Sequence, residues 1–170
     1  MNAAQRREAL SLCLTETPCP VSATALAQRF SVSRQIIVGD IALLRAAGSN
    51  IVSTPRGYLV PREIGGLLRT LVCRHTAAEL EPELNLMVDN GCTVIDVAVE
   101  HPVYGQLSGR LELSSRYDVG EFIRRVKEEG AKPLSVLTDG IHLHTLRCPD
   151  EDAFRRVRAA LDAAGFLVKE

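Results

Sequence analysis

Four histidines, at 75, 101, 142 and 144, are the side chains here whose type and spacing could do chemistry. His142 and His144 flank one residue within Ile141 to Leu146, a run that reads as a strand. Side chains at i and i+2 share one face of a strand, so two imidazoles project together as half of a metal site. The plainer alternative is an exposed face carrying two ordinary histidines. His75 stands just ahead of a helix signal, and Glu83 lies eight residues on. Those two can meet one ion only if His75 is outside the helix and the chain folds back. Glu79 competes as the carboxylate but is better explained by a capping box, Thr76-Ala77-Ala78-Glu79. Cys73 competes as a soft ligand. Imidazoles with one carboxylate suit nickel, zinc, iron or copper rather than calcium or magnesium. His101 heads the turn His-Pro-Val-Tyr-Gly, where it either caps the strand end or hydrogen-bonds the turn, or, with Tyr104, lines a small-molecule pocket.

A second chemistry is nucleic-acid readout. Ser33, Arg34 and Gln35 open a predicted helix. Arg pairs with guanine and Gln with adenine through two hydrogen bonds each, and a helix start with a Ser hydroxyl can hold a phosphate. Arg56 sits at the tip of a hairpin, where a wing would meet the minor groove or the backbone. The alternative is a helical unit used for dimerisation or protein contact, with Ser33 only a cap and Arg34 a solvated surface residue.

The elements that must position these groups follow from periodicity. Residues 4–16 read as a helix with Leu10, Cys13 and Leu14 on one face. Pro18 and Pro20 break it, and a short helix follows from Ser22 to Phe30. A third helix opens at Ser33, carries the stripe Ile37, Ile41, Leu44 and ends at Gly48. Ile51 to Val60 reads as a hairpin through Pro-Arg-Gly. A boundary is expected at Pro61–Gly66, which separates a head, 1–62, from a body, 67–170.

In the body, residues 67–73 fit either a strand or a short helix. The capping box predicts a helix reaching Asn90, with Pro82 imposing a kink or a late start. Cys92 to Glu100 and Leu107 to Leu113 read as strands. Asp118 reads as the cap of a helix ending at Gly130. Leu134–Leu137 and Ile141–Leu146 read as a hairpin through Thr138-Asp139-Gly140. A helix over 152–164 and a last strand, Phe166-Leu167-Val168, complete an α+β sandwich on a mostly antiparallel sheet.

Composition narrows the function classes. The chain has 170 residues, 46% apolar and only 4% aromatic, so its core is aliphatic. The net charge of −1 splits unevenly: residues 1–60 hold six Arg against Glu8, Glu16 and Asp40, which is +3 and leaves −4 for the rest. A basic head on an acidic body suggests two units with different partners. No run of 18 apolar residues exists, so no membrane span is expected, and the N-terminus lacks the apolar core of a secretory signal. Five Cys without a C-x-x-C pair argue for reduced, mostly buried thiols and a cytoplasmic protein. There is no Gly-rich phosphate loop and no Ser/His/Asp order, which argues against an enzyme.

Leu-Ala-x-x-Phe-x-Val-Ser-Arg-Gln at 26–35, followed by Asp40-Ile41-x-x-Leu44-Arg45, resembles the biotin-repressor-like helix-turn-helix class. His75, Val-Glu-His-Pro-Val-Tyr-Gly at 99–105 and Gly-Ile-His-Leu-His-Thr-Leu at 140–146 resemble the three-histidine, or 3H, domain. Together with Thr-Pro-Arg-Gly-Tyr at 54–58, the whole chain is similar to the nicotinate-responsive NiaR-type repressors of bacteria. The resemblance implies a winged helix-turn-helix followed by an α/β-sandwich 3H domain, in a homodimer on double-stranded operator DNA. It implies one transition-metal ion per chain, nickel or else zinc or iron, on His75, Glu83, His142 and His144. It also implies nicotinic acid or a related pyridine carboxylate as co-repressor of NAD-synthesis and nicotinate-uptake genes. Two rivals are a metal-dependent enzyme fused to a helix-turn-helix and a regulator for which the metal itself is the signal.

Overall fold

A computed structural model describes residues 2–61 and 65–169. The chain divides into two compact units, Met1–Ile64 and Gly65–Glu170. The expected boundary at Pro61–Gly66 includes residues 62–64, which lie outside the described residues.

Among the described residues the first unit is three helices and a hairpin: α1 (Ala3–Glu16), α2 (Ala23–Arg29), α3 (Arg34–Ala46), β1 (Val52–Thr54) and β2 (Gly57–Leu59). Ser22 and Ser33 cap α2 and α3 by accepting from the amides of Ala25 and Ile36. The periodic positions Leu10, Leu14, Leu26, Ile37 and Ile41 are buried together. Polar groups complete the packing. Asp40, buried on α3, takes Arg6 Nε of α1 at 2.6 Å and Arg7 at 3.5 Å. Arg45 bonds the Ile51 carbonyl and the Ser53 hydroxyl, tying α3 to the hairpin. Tyr58 and Val21 exchange backbone hydrogen bonds, so the hairpin docks on the segment before α2. A Cβ on Gly57 would meet the Val21 carbonyl oxygen at 2.3 Å, so this contact admits only glycine.

The second unit has a four-stranded sheet with every pairing antiparallel, in the order β3-β6-β4-β5. The strands are β3 (Leu67–Arg74), β4 (Thr93–His101), β5 (Gly105–Leu113) and β6 (Ile141–Cys148), and the helices are α4 (Leu80–Asp89), α5 (Arg116–Glu128) and α6 (Glu151–Ala163). Apolar side chains of the three helices, among them Leu84, Val119 and Val157, bury Leu71, Cys73, Leu146 and Cys148 of the sheet. Residues 67–73 are therefore a strand. The opposite positions Leu68, Val72 and Ile141 are exposed, as the two-residue strand period requires.

Three expectations change. Leu134–Thr138 is a 3-10 turn rather than a strand. Phe166–Val168 makes only a single bridge, Cys73 to Leu167, rather than a full strand. The cap of α5 is Ser115, whose hydroxyl accepts from the Asp118 amide; Asp118 instead accepts from Ser114. Of the two effects expected of Pro82, a kink or a late start, the structure shows the late start. A 3-10 turn at Ala77–Glu79 precedes α4, and Pro82 stands in its first turn, where its missing N–H would have had no helical partner in any case.

Candidate functional site

The late start of α4 decides the geometry. His75 follows β3 and precedes the 3-10 turn, so it is free of the helix, while Glu83 projects from the first part of α4 with its side chain fully buried. Glu79 is occupied elsewhere: its carboxylate receives the Thr76 amide and hydroxyl, each at 2.8 Å. His142 and His144 share the inner face of β6, opposite Cys73 and Leu71 of β3.

The result is a convergence on Glu83. His75 Nε2 lies 2.7 Å from Glu83 Oε2, His142 Nε2 lies 3.1 Å from Oε1, and His144 Nε2 lies 3.2 Å from Oε2. The four side chains are at most 1% exposed. The rings of His75 and His142 meet edge to face at 4.7 Å, and those of His142 and His144 at 4.9 Å.

Each ring is aimed from behind. His75 Nδ1 donates to the Thr76 carbonyl at 2.7 Å, His142 Nδ1 to Gly140 at 2.8 Å and His144 Nδ1 to Asp96 at 2.8 Å. A carbonyl can only accept, so the ring proton sits on Nδ1 and a neutral ring turns its Nε2 lone pair toward Glu83. The Asp96 carbonyl is available because β4 has a register irregularity between Val94 and Asp96. There the Asp96 carboxylate accepts from the Thr145 amide. A bulge thus re-aims a carbonyl, as bulges commonly do near functional sites.

Three lone pairs and a carboxylate facing one another in an apolar interior lack a donor among themselves. Such a set fits a cation, and the carbonyl bond behind each imidazole is the usual companion of a metal-ligating histidine. Without an ion, protons must take its place. Burial lowers the His75 pKa, but its bonds to Glu83 outweigh this and hold it above the ordinary histidine value. Burial likewise pushes the Glu83 carboxyl up, yet the charge of His144 and the hydrogen bonds of all three rings hold it far below the usual carboxylate range. Burial, with the Glu83 charge adding, pushes the Cys73 thiol well above its ordinary value. A small cavity of about 30 Å³ adjoins His142 and His144, its lining including Leu80, Val97, Leu111 and Phe122. A larger cleft of about 510 Å³ opens beside His75, lined by Arg74, Thr76, Glu79, Asp139 and Gly140.

His101 and Tyr104 are not brought to this cluster. They sit at the β4–β5 hairpin, where His101 Nδ1 accepts the amides of Val103 and Tyr104, and Tyr104 is 73% exposed. In the first unit, Ser33, Arg34 and Gln35 are all exposed at the start of α3. Arg56 lies half-buried in the hairpin turn, its amide donating to Thr54 Oγ1. Sequence reasoning missed the backbone acceptors behind the rings and the role of Gly140; nothing in side-chain spacing signals a carbonyl.

Residues 68–170 match the 3H domain and residues 6–59 match an HTH domain. The chain is 41% identical over 166 residues to "Probable transcription repressor NiaR" of Thermotoga maritima, covering 98% of this chain and 95% of that one. It is 42% identical over 171 residues to "Transcription repressor NadR" of Bacillus subtilis, again covering 98% and 95%. Among the described residues no helix is long and apolar enough to cross a membrane.

Proposed function

The chain belongs to the 3H-domain family, and from that premise we propose that it is a transcription repressor of NAD-synthesis and nicotinate-uptake genes. It acts as a homodimer on operator DNA in the cytoplasm, with nicotinic acid or a related pyridine carboxylate as co-repressor. The observation that carries this reading is the convergence of His75, His142 and His144 on Glu83, in a chain whose other unit exposes Ser33, Arg34 and Gln35 at a helix start. The enzyme alternative is set aside, because both relatives are transcription repressors.

The α3 start enters the major groove, with Arg34 and Gln35 on base edges and Ser33 toward a phosphate. Arg56 brings the wing to the backbone. One small head gives little affinity, and two heads on half-sites about one helical turn apart supply specificity.

The residues that would hold the ion are Glu83 and the three Nε2 atoms. Nickel, zinc and iron all suit three imidazoles and a carboxylate. A bound ion supplies a crosslink between β6, α4 and the segment after β3, and a Lewis-acidic position for an anionic effector. The effector belongs in the cleft beside His75, whose lining includes Arg74; a guanidinium is a planar fork that suits a carboxylate. At the hairpin tip that carries His101, Tyr104 is 73% exposed. Effector and DNA are then linked: a ligand that prefers the DNA-competent dimer shifts the population toward it.

The test is a gel shift on the region upstream of the protein's own gene, with and without nicotinate, before and after chelation. Nicotinate should tighten the complex formed by the metal-loaded protein. Absence of a complex under every condition overturns the repressor reading. Retardation that follows metal and ignores nicotinate replaces the co-repressor with the metal as signal.

A further inference from the structure

The three imidazoles and Glu83 leave one soft donor unused. Cys73 on β3 pairs directly with His142 on β6, and residues opposite each other on antiparallel strands project to the same face. Its side chain is fully buried. Its sulfur, a Glu83 carboxylate oxygen and a His142 ring nitrogen all lie within 4.8 Å of one another. An ion taken up by His142 and Glu83 therefore arrives within the same small space as the sulfur.

Resting on the reading of this cluster as a metal site, we propose that Cys73 is a ligand to the ion. On binding, its S–H bond breaks, a metal–sulfur bond forms, and the proton leaves to the buffer. The donor set becomes three nitrogens, one oxygen and one sulfur. Thiolate draws the preference of the site toward zinc or copper and away from magnesium and manganese.

Cobalt(II) loading of the full chain separates the outcomes. Visible d–d bands report an ion held by protein ligands, and a near-ultraviolet charge-transfer band reports a thiolate bound to it. Wild type should show both bands, and Cys73→Ser should keep the first and lose the second. Zinc affinity should fall by at least about tenfold in the variant, since even the partners that only orient ligands cost 10–100-fold. Should the variant fail to fold, X-ray absorption of the zinc-loaded wild type decides alone: one sulfur at about 2.3 Å is expected. Visible bands without charge transfer, a charge-transfer band undiminished in Cys73→Ser, or a zinc shell without sulfur overturns the proposal and leaves the metal reading standing. No visible bands at all removes both.

Discussion

A Cβ placed on Gly140 would stand 2.4 Å from the carbonyl oxygen of His75. The two backbones lie this close because the His75 amide donates to the Gly140 carbonyl, the same oxygen that receives His142 Nδ1. Gly140 also holds φ at +87°, a conformation glycine adopts without steric cost. One glycine thus sets two imidazoles that are far apart in the chain.

Gly140→Ala should therefore damage the cluster more than the fold. Backbone strain of about 1–3 kcal/mol is expected, visible as a lower melting temperature. Metal affinity should fall by about 10–100-fold, the usual effect of disturbing the partners behind ligands. Isothermal titration with zinc checks this. Wild-type affinity in the variant would show that Gly140 does not set the rings.

Glu83→Gln keeps the side chain's size and removes its charge. An ion at a hundred times its dissociation constant stabilises the wild type by about 2.7 kcal/mol. Thermal melts with and without zinc should show that increment in the wild type and little of it in the variant. An equal increment in both would exclude Glu83 as a ligand.

His142 and His144 show why part of the site was legible in sequence. A strand's period of two puts i and i+2 on one face whatever the fold. The stripe Ile37 and Ile41, and the caps at Ser22 and Ser33, are local in the same sense. The choice between Glu79 and Glu83 needed a second local fact, the Thr76–Glu79 capping bonds. What spacing could not carry was long-range or made of backbone. The Asp96 carbonyl behind His144 depends on a bulge in a different strand. Leu134–Thr138 has the apolar character of a strand, yet it closes onto β4 and β6 as a 3-10 turn. Phe166–Val168 has strand-forming residues but keeps only one bridge. Asp118 and Ser115 both suit a helix start, and which one caps depends on where the chain leaves β5.

Arg34→Ala should weaken operator binding by about 1–3 kcal/mol if the guanidinium reads a base, with the melting temperature unchanged. Asp40→Ala is the contrasting case. It strips Arg6 and Arg7 of their buried partner and should destabilise the head by about 3 kcal/mol. Gel shifts beside circular dichroism melts distinguish lost contact from lost fold. An unchanged shift for Arg34→Ala would remove that residue from the groove.

Nicotinic acid should tighten operator binding far more than nicotinamide, which lacks the carboxylate that Arg74 would hold. Arg74→Ala should narrow that difference. Equal responses to the two compounds would contradict the assignment of a pyridine carboxylate as effector.

The central claim is that imidazoles from two distant stretches of chain hold one ion with Glu83. Elemental analysis of purified wild type and of the double variant His142→Ala, His144→Ala tests it most directly. The expected result is one transition-metal ion per wild-type chain and none in the variant; full metal content in the variant would contradict the claim.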